Sequence, residues 1–318
     1  MPLALVLGLD TVAVIILVTA PINALRVLFM AAFTGAVPNL VERQQIARAN
    51  GMIEGILSLS FIVGPAAAGI LVGVIGPAAT LAIDAVSFLF SAGALFLVRR
   101  PLQAERQADG PRPSIATDIA EGVRFILGER TLRAIISFWS LSSVVLAPLV
   151  AAVIFYLTVD RQRPPEVVGV VLSGYGMGFF LGAILAGRVA HLPPGVVMIL
   201  GNLGTAAALV LFVVGGSGVF EVLGAVGAGL AGAPVLIAYI TLRATIPPDA
   251  LLGRVGSTAR TMSLGLQPVG LFAGGVMLDT IGGGPTVLLV AALLARLTTL
   301  FALSGTVRQA AVLPPRTA

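Results

Sequence analysis

The sequence contains no cysteine, no lysine and a single histidine among its 318 residues. The absence of cysteine excludes disulfide bridges and thiolate-bound metals, and His191 alone cannot form a metal site. Charged residues make up 10% of the chain, whereas about 25% is usual in soluble domains. Because 58% of the residues are apolar, more than a soluble fold of this length can bury, a water-soluble enzyme is excluded.

Catalytic signatures are absent as well. The sequence has no HExxH, GxSxG or Walker motif, so neither an intramembrane enzyme nor a nucleotide-driven pump is predicted, and no cofactor or metal is expected. The run Gly227-x-Gly229-x-x-Gly232 matches the dinucleotide fingerprint, but no strand precedes it, so we discard this interpretation. The net charge of +5 comes from arginines spread between apolar segments, which argues against nucleic acid as a partner.

Long apolar segments dominate the rest of the sequence. A bilayer core of about 30 Å needs roughly 20 apolar residues per helix, and nine segments of such length can be marked. This pattern predicts an all-α polytopic membrane protein with about nine complete transmembrane helices. The segments lie at about 9–33, 52–74, 77–98, 133–157, 166–190, 194–215, 218–242, 256–279 and 285–305.

One long polar stretch, residues 99–132, interrupts this series. Within it, residues 103–113 are typical of a linker, and residues 114–130 have the spacing of a surface helix. The apolar residues of this helix recur about one turn apart, which suits a helix lying at the membrane interface. They are Ile115, Ile119, Val123 and Ile126.

The arginines are distributed unequally about the apolar segments. If the first segment runs from outside to inside, 16 of the 19 arginines fall on the inner side. Only Arg161 and Arg163 fall on the outer side, and Arg296 lies within the last segment. By the positive-inside rule, the stretch 99–132 and the tail 307–318 are therefore predicted to be cytoplasmic.

An internal repeat relates the two ends of the chain, as in the parallel halves of some transporters. A shift of 206 residues aligns the segments that begin at 52 and 77 with those that begin near 256 and 285. The partners of residues 133–215 would precede about residue 9, so we expect a protein of twice six helices that lacks about its first two and a half. The same shift aligns Arg48 with Arg254, Gly64 with Gly270, Gly69 with Gly275 and Gly76 with Gly282.

These patterns together predict the organisation of the chain into four parts. We expect an incomplete N-terminal helical half, a cytoplasmic linker with an amphipathic helix, a six-helix C-terminal half and a cytoplasmic tail. Their boundaries are 1–98, 99–132, 133–306 and 307–318.

The stretch from Phe33 to Gly51, FTGAVPNLVERQQIARANG, carries a recognisable pattern. Pro38 is followed by an apolar pair, an acidic–basic pair and an Ala-Arg-Ala-Asn run that ends at Asn50. The pattern resembles the loop after helix four in the drug and siderophore exporters of the major facilitator superfamily, which include macrolide-efflux and enterobactin-exporter-like proteins. Three further stretches are similar to helices five and six of these exporters and to their segment before helix seven. They lie at 63–71, 84–101 and 118–125.

The resemblance implies a major facilitator-type fold in the cell membrane. It also implies proton-coupled efflux of small amphipathic compounds, drugs or siderophores, by alternating access. The implied protein is a monomer whose partners are the lipid bilayer, the substrate and protons. The alternative is a non-transporting remnant of such an exporter, or a product whose true start lies upstream of Met1.

Four charged residues within or beside apolar segments are candidates for coupling. An intramembrane charge costs roughly 2.5–3.5 kcal/mol on insertion scales, so it should face the bundle or a water-filled cavity. Asp84 is a candidate proton carrier or, alternatively, an interhelical hydrogen-bond partner. The alternative for Glu54 is a salt bridge near Arg48. Glu221 begins a segment at the outer face, where we otherwise expect it to contact water, and Arg296 either faces the cavity or snorkels to the interface.

Six polar residues are candidates for the wall of a substrate cavity. Asn23 and Arg26 share one face of the first segment, and the resemblance places the corresponding helix four along the central cavity. Polar residues of the C-terminal half are able to hydrogen-bond to an amphipathic substrate, the alternative for each being a role in helix packing. These residues are Tyr175, Asn202, Tyr239 and Gln267.

Glycines at helix-contact spacing predict close helix packing, because small residues let helix backbones approach in a membrane. Gly64, Pro65 and Gly69 resemble the antiporter motif of helix five, and a glycine–proline step can bend a helix. The same interpretation applies to two groups in the C-terminal half. These are the pair Gly178 and Gly182, and the group Gly270, Gly274 and Gly275.

The predicted orientation can be tested in this cysteine-free chain with single cysteines. Ala108→Cys and Ala311→Cys should resist an impermeant thiol reagent in intact cells, because both positions are predicted to be cytoplasmic. Gln162→Cys, between the two outer arginines, is the matched control and should be labelled. Labelling at position 108 or 311 from outside the cell would contradict the orientation.

Overall fold

The computed structural model describes residues 14, 17–19, 21–25, 28–29, 40–41, 45–98, 115–248 and 251–310. Over these residues every regular element is helical and no strand occurs, which confirms the all-α class. The chain divides into two compact units, Met1–Pro111 and Arg112–Ala318.

The N-terminal unit contains one long apolar helical run, α1, from Ile46 to Phe96. Its 51 residues are more than twice the roughly 20 that a bilayer requires. Gly76 interrupts the run with φ 81° and ψ 166°, a backbone conformation in the left-handed half of the map that glycine adopts without a Cβ clash. Pro77 follows at once, in the first-turn position that proline favours. The segments predicted at 52–74 and 77–98 are the two parts of this run.

The C-terminal unit consists of a short helix followed by longer apolar ones. Helix α2 corresponds to the predicted surface helix. Helices α3 and α4 and a π-turn at Tyr156–Asp160 form one continuous passage from Arg130 to Asp160. The helices are α2 (Ile115–Gly128), α3 (Arg130–Leu146), α4 (Leu149–Phe155), α5 (Pro165–Arg188), α6 (Pro194–Val214), α7 (Gly218–Thr245), α8 (Leu252–Ile281) and α9 (Gly283–Leu303).

Seven helical runs in the described residues are long and apolar enough to cross a membrane. Six belong to the C-terminal unit, and their bounds agree with the six segments predicted after residue 132. The seventh, Gly55–Phe96, spans two predicted segments because the run continues through Gly76. The remaining prediction, at 9–33, lies largely outside the described residues.

The internal repeat recurs in the backbone. Gly282, the partner of Gly76 under the 206-residue shift, has φ 80° and ψ −180° and separates α8 from α9 as Gly76 divides α1. Two helices in each unit are thus joined through a single glycine of the same conformation. The repeat therefore reflects a shared local structure and not composition alone.

Part of the apolar face of α2, at Ile126, is covered by protein. Ile126 is only 1% exposed and packs with Leu132 and Val255 in one of the two apolar cores of the unit. A Cβ added at Gly122 would overlap the hydroxyl of Thr258, so α2 and α8 are in direct contact. The expectation that this face meets the membrane interface is corrected at Ile126, because α8 supplies the apolar partner.

Helices α5 and α7 cross with their backbones in close contact. A Cβ added at Gly178 or Gly182 of α5 would overlap a backbone carbonyl of α7, that of Val226 or Leu230. On the facing side, a Cβ added at Gly229 would overlap the carbonyl of Tyr175. The interpretation of Gly178-x-x-x-Gly182 as a helix contact is confirmed.

This crossing predicts a position-dependent effect of alanine. Gly178→Ala should lower the free energy of unfolding by about 1–3 kcal/mol, because the added methyl forces two backbones apart. Gly187→Ala, on the same helix with open space around it, is the control. It should be neutral or stabilising by up to about 1 kcal/mol, since alanine favours helix. Thermal unfolding midpoints in detergent measure both, and equal midpoints would contradict the close crossing.

Candidate functional site

A cavity of about 420 Å³ lies inside the C-terminal unit, between the α3–α4 passage and helices α5, α6 and α7. Its walls are mostly apolar, and the described residues that line it include no charged side chain. Size and lining are those of a pocket for a small, largely apolar ligand. The apolar wall includes Leu146, Val153, Leu172, Phe179, Leu209 and Phe212, and the polar or amphipathic residues are Trp139, Ser142, Ser143, Tyr175, Asn202 and Thr205.

Two polar residues of the cavity wall are hydrogen-bonded to each other. Asn202 is buried on α6, and its Nδ2 donates a hydrogen bond of 3.3 Å to Ser142 Oγ on α3. At 1.5 Å per residue, Asn202 lies about 12 Å from the start of α6, and Thr205 lies about one turn further on the same face. The cavity therefore combines an apolar wall with a small hydrogen-bonding group near half the length of α6.

Aromatic residues close another part of the wall. The Trp139 ring stacks on Tyr239, with ring centroids 4.3 Å apart and planes 5° from parallel. The guanidinium of Arg243 lies 5.4 Å from the centroid of the Tyr239 ring. Tyr239 is thus buried behind Trp139, and it supports the wall of the cavity without lining it.

The predicted cavity residues fall into three groups. Tyr175 and Asn202 line the cavity, whereas Gln267 of α8 is half-buried and is not part of this wall. In the N-terminal unit, Asn23 is exposed and its Nδ2 donates to the carbonyl of Thr19, 2.9 Å away, within its own helix. Arg26 lies outside the described residues.

A second group of polar residues surrounds Glu221, in the first turn of α7. Its carboxylate is 1% exposed and forms ion pairs with Arg161 at 3.3 Å and Arg163 at 3.0 Å. The hydrogen bond and charge of Glu221 raise the pKa of Arg163 above its usual range. The expectation that Glu221 contacts water is corrected, because the loop after the π-turn folds over it and supplies two cations.

The same loop holds the beginnings of two helices. Arg161 donates to the carbonyl of Gly216 just before α7. Asp160 Oδ2 accepts from the backbone N–H of Gly284, 2.8 Å away, in the first turn of α9. Carboxylates at helix N-termini are favourable because the helix dipole is positive there. Residues 160–163 therefore connect the starts of α7 and α9.

The other charged candidates lie apart from this cluster. Asp84 is exposed on α1, and its carbonyl accepts a hydrogen bond of 2.7 Å from Ser87 Oγ. The side chain of Glu54 lies outside the described residues. Arg296 is exposed on α9, about 20 Å along the helix from Gly283, and it does not line the cavity.

The glycines singled out for packing differ in their surroundings. A Cβ added at Gly270 or Gly274 would overlap atoms of Val144 or Pro148, so α8 approaches the α3–α4 passage closely there. Gly275 faces open space, and so does Gly64. Pro65 and Gly69 are half-buried on α1.

The sequence matches a known family along nearly its whole length. The family model for transmembrane secretion effectors, a branch of the major facilitator superfamily, matches residues 1–313. The chain belongs to this family. It is a multi-pass membrane transporter of the efflux type, in the cell membrane.

Several relatives are exporters by name. The multidrug efflux pump Tap of Mycobacterium tuberculosis (strain ATCC 25618 / H37Rv) is 30% identical over 290 residues, which cover 88% of this chain and 68% of the pump. Tap of Mycolicibacterium fortuitum is 26% identical over 294 residues, 88% of this chain and 69% of the pump. The enterobactin exporter EntS of Escherichia coli O1:K1 is 26% identical over 231 residues, 70% of this chain and 53% of the exporter.

Sequence reasoning missed several residues of these two sites. Thr205 lies one turn from Asn202 on an otherwise apolar helix, a spacing that was available as a signal. Arg161 and Arg163 were noted only for their side of the membrane. Two arginines within three residues, on a side that otherwise lacks cations, are the signal for a partner carboxylate.

The cluster predicts a specific cost for neutralising Glu221. Glu221→Gln leaves two arginines without their counter-charge and should lower the free energy of unfolding by about 2 kcal/mol, less than the roughly 3–5 kcal/mol for a fully buried pair, because both arginines are partly exposed. Glu166→Gln, in the first turn of α5, removes the same charge from an equivalent helix position and should cost below about 1 kcal/mol. Equal unfolding midpoints for the two variants would show that the ion pairs contribute nothing.

Proposed function

We propose that the chain exports small amphipathic compounds, of the drug or siderophore type, by alternating access driven by the proton gradient. The observation that carries this proposal is the apolar cavity with a small polar group at mid-helix, in a chain of an efflux family. The names of the relatives, a multidrug efflux pump and an enterobactin exporter, support the same substrate class.

The cavity suits amphipathic compounds on physical grounds. Its apolar wall favours apolar parts of a substrate, since burial of apolar surface is favourable. Ser142, Asn202 and Thr205 offer hydrogen bonds at one place, which orients a bound molecule without requiring one particular structure. Broad selectivity follows from an apolar wall with few fixed polar contacts.

Asp84 is the proposed proton carrier. It is a carboxylate in the apolar second part of α1, where a permanent charge is costly. Glu221 is a poorer candidate because its carboxylate is already paired with two arginines. We assign Glu221 to the support of residues 160–163.

The proposed arrangement in the cell follows the arginine distribution. The cluster around Glu221 then lies on the outer side, and α2 and the C-terminal tail lie in the cytoplasm. Residues 1–98 are the proposed incomplete N-terminal half and residues 133–306 the proposed C-terminal half, joined by 99–132. The proposed transporting unit is a monomer.

The function is tested by efflux of Nile red, an uncharged amphipathic dye, from an efflux-deficient bacterial host. Cells that express the chain should extrude the dye faster than control cells, and a protonophore should abolish the difference. Asp84→Asn should reduce efflux to the control level at normal membrane abundance, because it removes the titratable group and keeps the shape.

Asp279→Asn is the matched control for that experiment. Asp279 is an exposed carboxylate near the end of α8, and its loss should leave efflux unchanged. Full efflux by the Asp84→Asn variant would exclude Asp84 as the carrier. No efflux by the unsubstituted chain, when it is correctly inserted, would overturn the proposed function.

A further inference from the structure

Most described threonines of the C-terminal helices donate a hydrogen bond within their own helix. Thr205 and Thr258 are the buried ones that do not, and of these two Thr205 lines the cavity. Thr158, Thr241 and Thr298 each donate a hydrogen bond to the carbonyl four residues before them, at 2.8, 2.9 and 2.7 Å. Thr205 is only 6% exposed, yet its hydroxyl has no hydrogen-bond partner among the described residues. A buried hydroxyl without a partner destabilises a folded protein, so its presence at Thr205 requires a functional explanation.

The unpaired hydroxyl lies on the wall of the cavity, as does the side-chain amide of Asn202, whose hydrogen-bonding capacity is only partly used. Asn202 is 4% exposed, and its single hydrogen bond within the described residues is the one from Nδ2 to Ser142 Oγ. A side-chain amide has two N–H donors and a carbonyl acceptor, so one donor and the acceptor remain. Asn202 and Thr205 stand one turn apart on α6, so their free donors share one face.

The absence of charged side chains from the described lining of the cavity restricts the charge of a ligand that can bind there. Among the described residues, those that line the cavity include neither a carboxylate nor a cationic side chain. A permanent cation or anion bound there would lie without a counter-charge in an apolar surrounding, which is strongly unfavourable. An uncharged oxygen that accepts hydrogen bonds carries no such penalty and satisfies the free donors.

We propose that Ser142, Asn202 and Thr205 form a recognition site for an uncharged hydrogen-bond acceptor, such as a carbonyl or ether oxygen, on an otherwise apolar substrate. The inference rests on the proposed function and specifies its substrate class. Thr205 donates its hydroxyl to the acceptor, and Asn202, held by Ser142, donates its remaining N–H. Compounds that carry a permanent charge in the part that enters the cavity do not bind there.

Three probes of related shape separate the effect of a hydrogen-bond acceptor on binding from the effects of apolar surface and of charge. Triphenylphosphine oxide is uncharged and carries one strong acceptor, triphenylmethane lacks an acceptor, and tetraphenylphosphonium carries a permanent positive charge. Binding of each to the purified chain in lipid nanodiscs is measured by equilibrium dialysis against empty nanodiscs. We expect the oxide to bind about three- to tenfold more tightly than the hydrocarbon, the value of one or two net hydrogen bonds. Tetraphenylphosphonium should show no saturable binding.

Substitutions then test whether Thr205 and Asn202 cause the difference in affinity between the oxide and the hydrocarbon. Thr205→Val should weaken binding of the oxide about threefold and leave the hydrocarbon unchanged. Its unfolding midpoint should stay equal or rise, because the valine removes an unpaired buried hydroxyl. A merely structural hydroxyl would instead leave the oxide affinity unchanged. Asn202→Leu should weaken oxide binding by a similar factor.

Thr298→Val is the matched control, because Thr298 is buried in α9 and already bonded to the carbonyl of Leu294. It should leave the affinities for all three probes unchanged. Equal affinities of the oxide for the unsubstituted chain and for both cavity variants would overturn the recognition site. Saturable binding of tetraphenylphosphonium that Thr205→Val leaves intact would overturn the exclusion of charge.

The result separates this inference from the proposed function. If the chain extrudes Nile red but binds the oxide and triphenylmethane equally, the recognition site is wrong and the efflux function stands. If no probe binds and no dye is extruded by the folded chain, both proposals fall.

Discussion

The rest of the C-terminal unit depends on the contact between the backbones of α5 and α7. In a bilayer, lipid tails are as apolar as the side chains they compete with, so helices associate through close packing and not through release of water. Gly178, Gly182 and Gly229 remove the side chains that would hold these two helices apart. The same helices present Tyr175 and Ala228 to the cavity. The width of the cavity is therefore fixed by glycines that do not line it.

Buried polar groups are paired in one part of this unit and partly unpaired in another. Around Glu221 the charges are compensated, and the loop at residues 160–163 links the beginnings of two helices. In the cavity, the hydroxyl of Thr205 and part of the Asn202 amide lack partners within the described residues. An unpaired buried polar group costs free energy, and at the cavity a bound ligand can remove that cost. The separation of these two regions keeps structural charges out of the cavity.

Features that depend on local sequence were predictable. The lengths of the apolar segments, the glycine break before Pro77 and the contact spacing of Gly178 and Gly182 are all readable from neighbouring residues. Features that depend on distant partners were not. Glu221 is buried because two arginines about 60 residues earlier fold over it.

The same limit applies to α2 and to the cavity. Ile126 is covered by α8, more than 120 residues later in the chain, so its apolar spacing alone did not reveal its partner. Residue type was enough to nominate Asn202 and Tyr175. The exclusion of Tyr239 from the wall depends on the stacked Trp139, and the state of the Thr205 hydroxyl depends on its rotamer, which sequence does not specify.

The single-glycine connections at Gly76 and Gly282 affect how such a chain enters a membrane during synthesis. Two apolar helices joined by one residue leave almost no polar connecting segment to be carried through the hydrocarbon, so each pair can insert as a helical hairpin with little translocation cost.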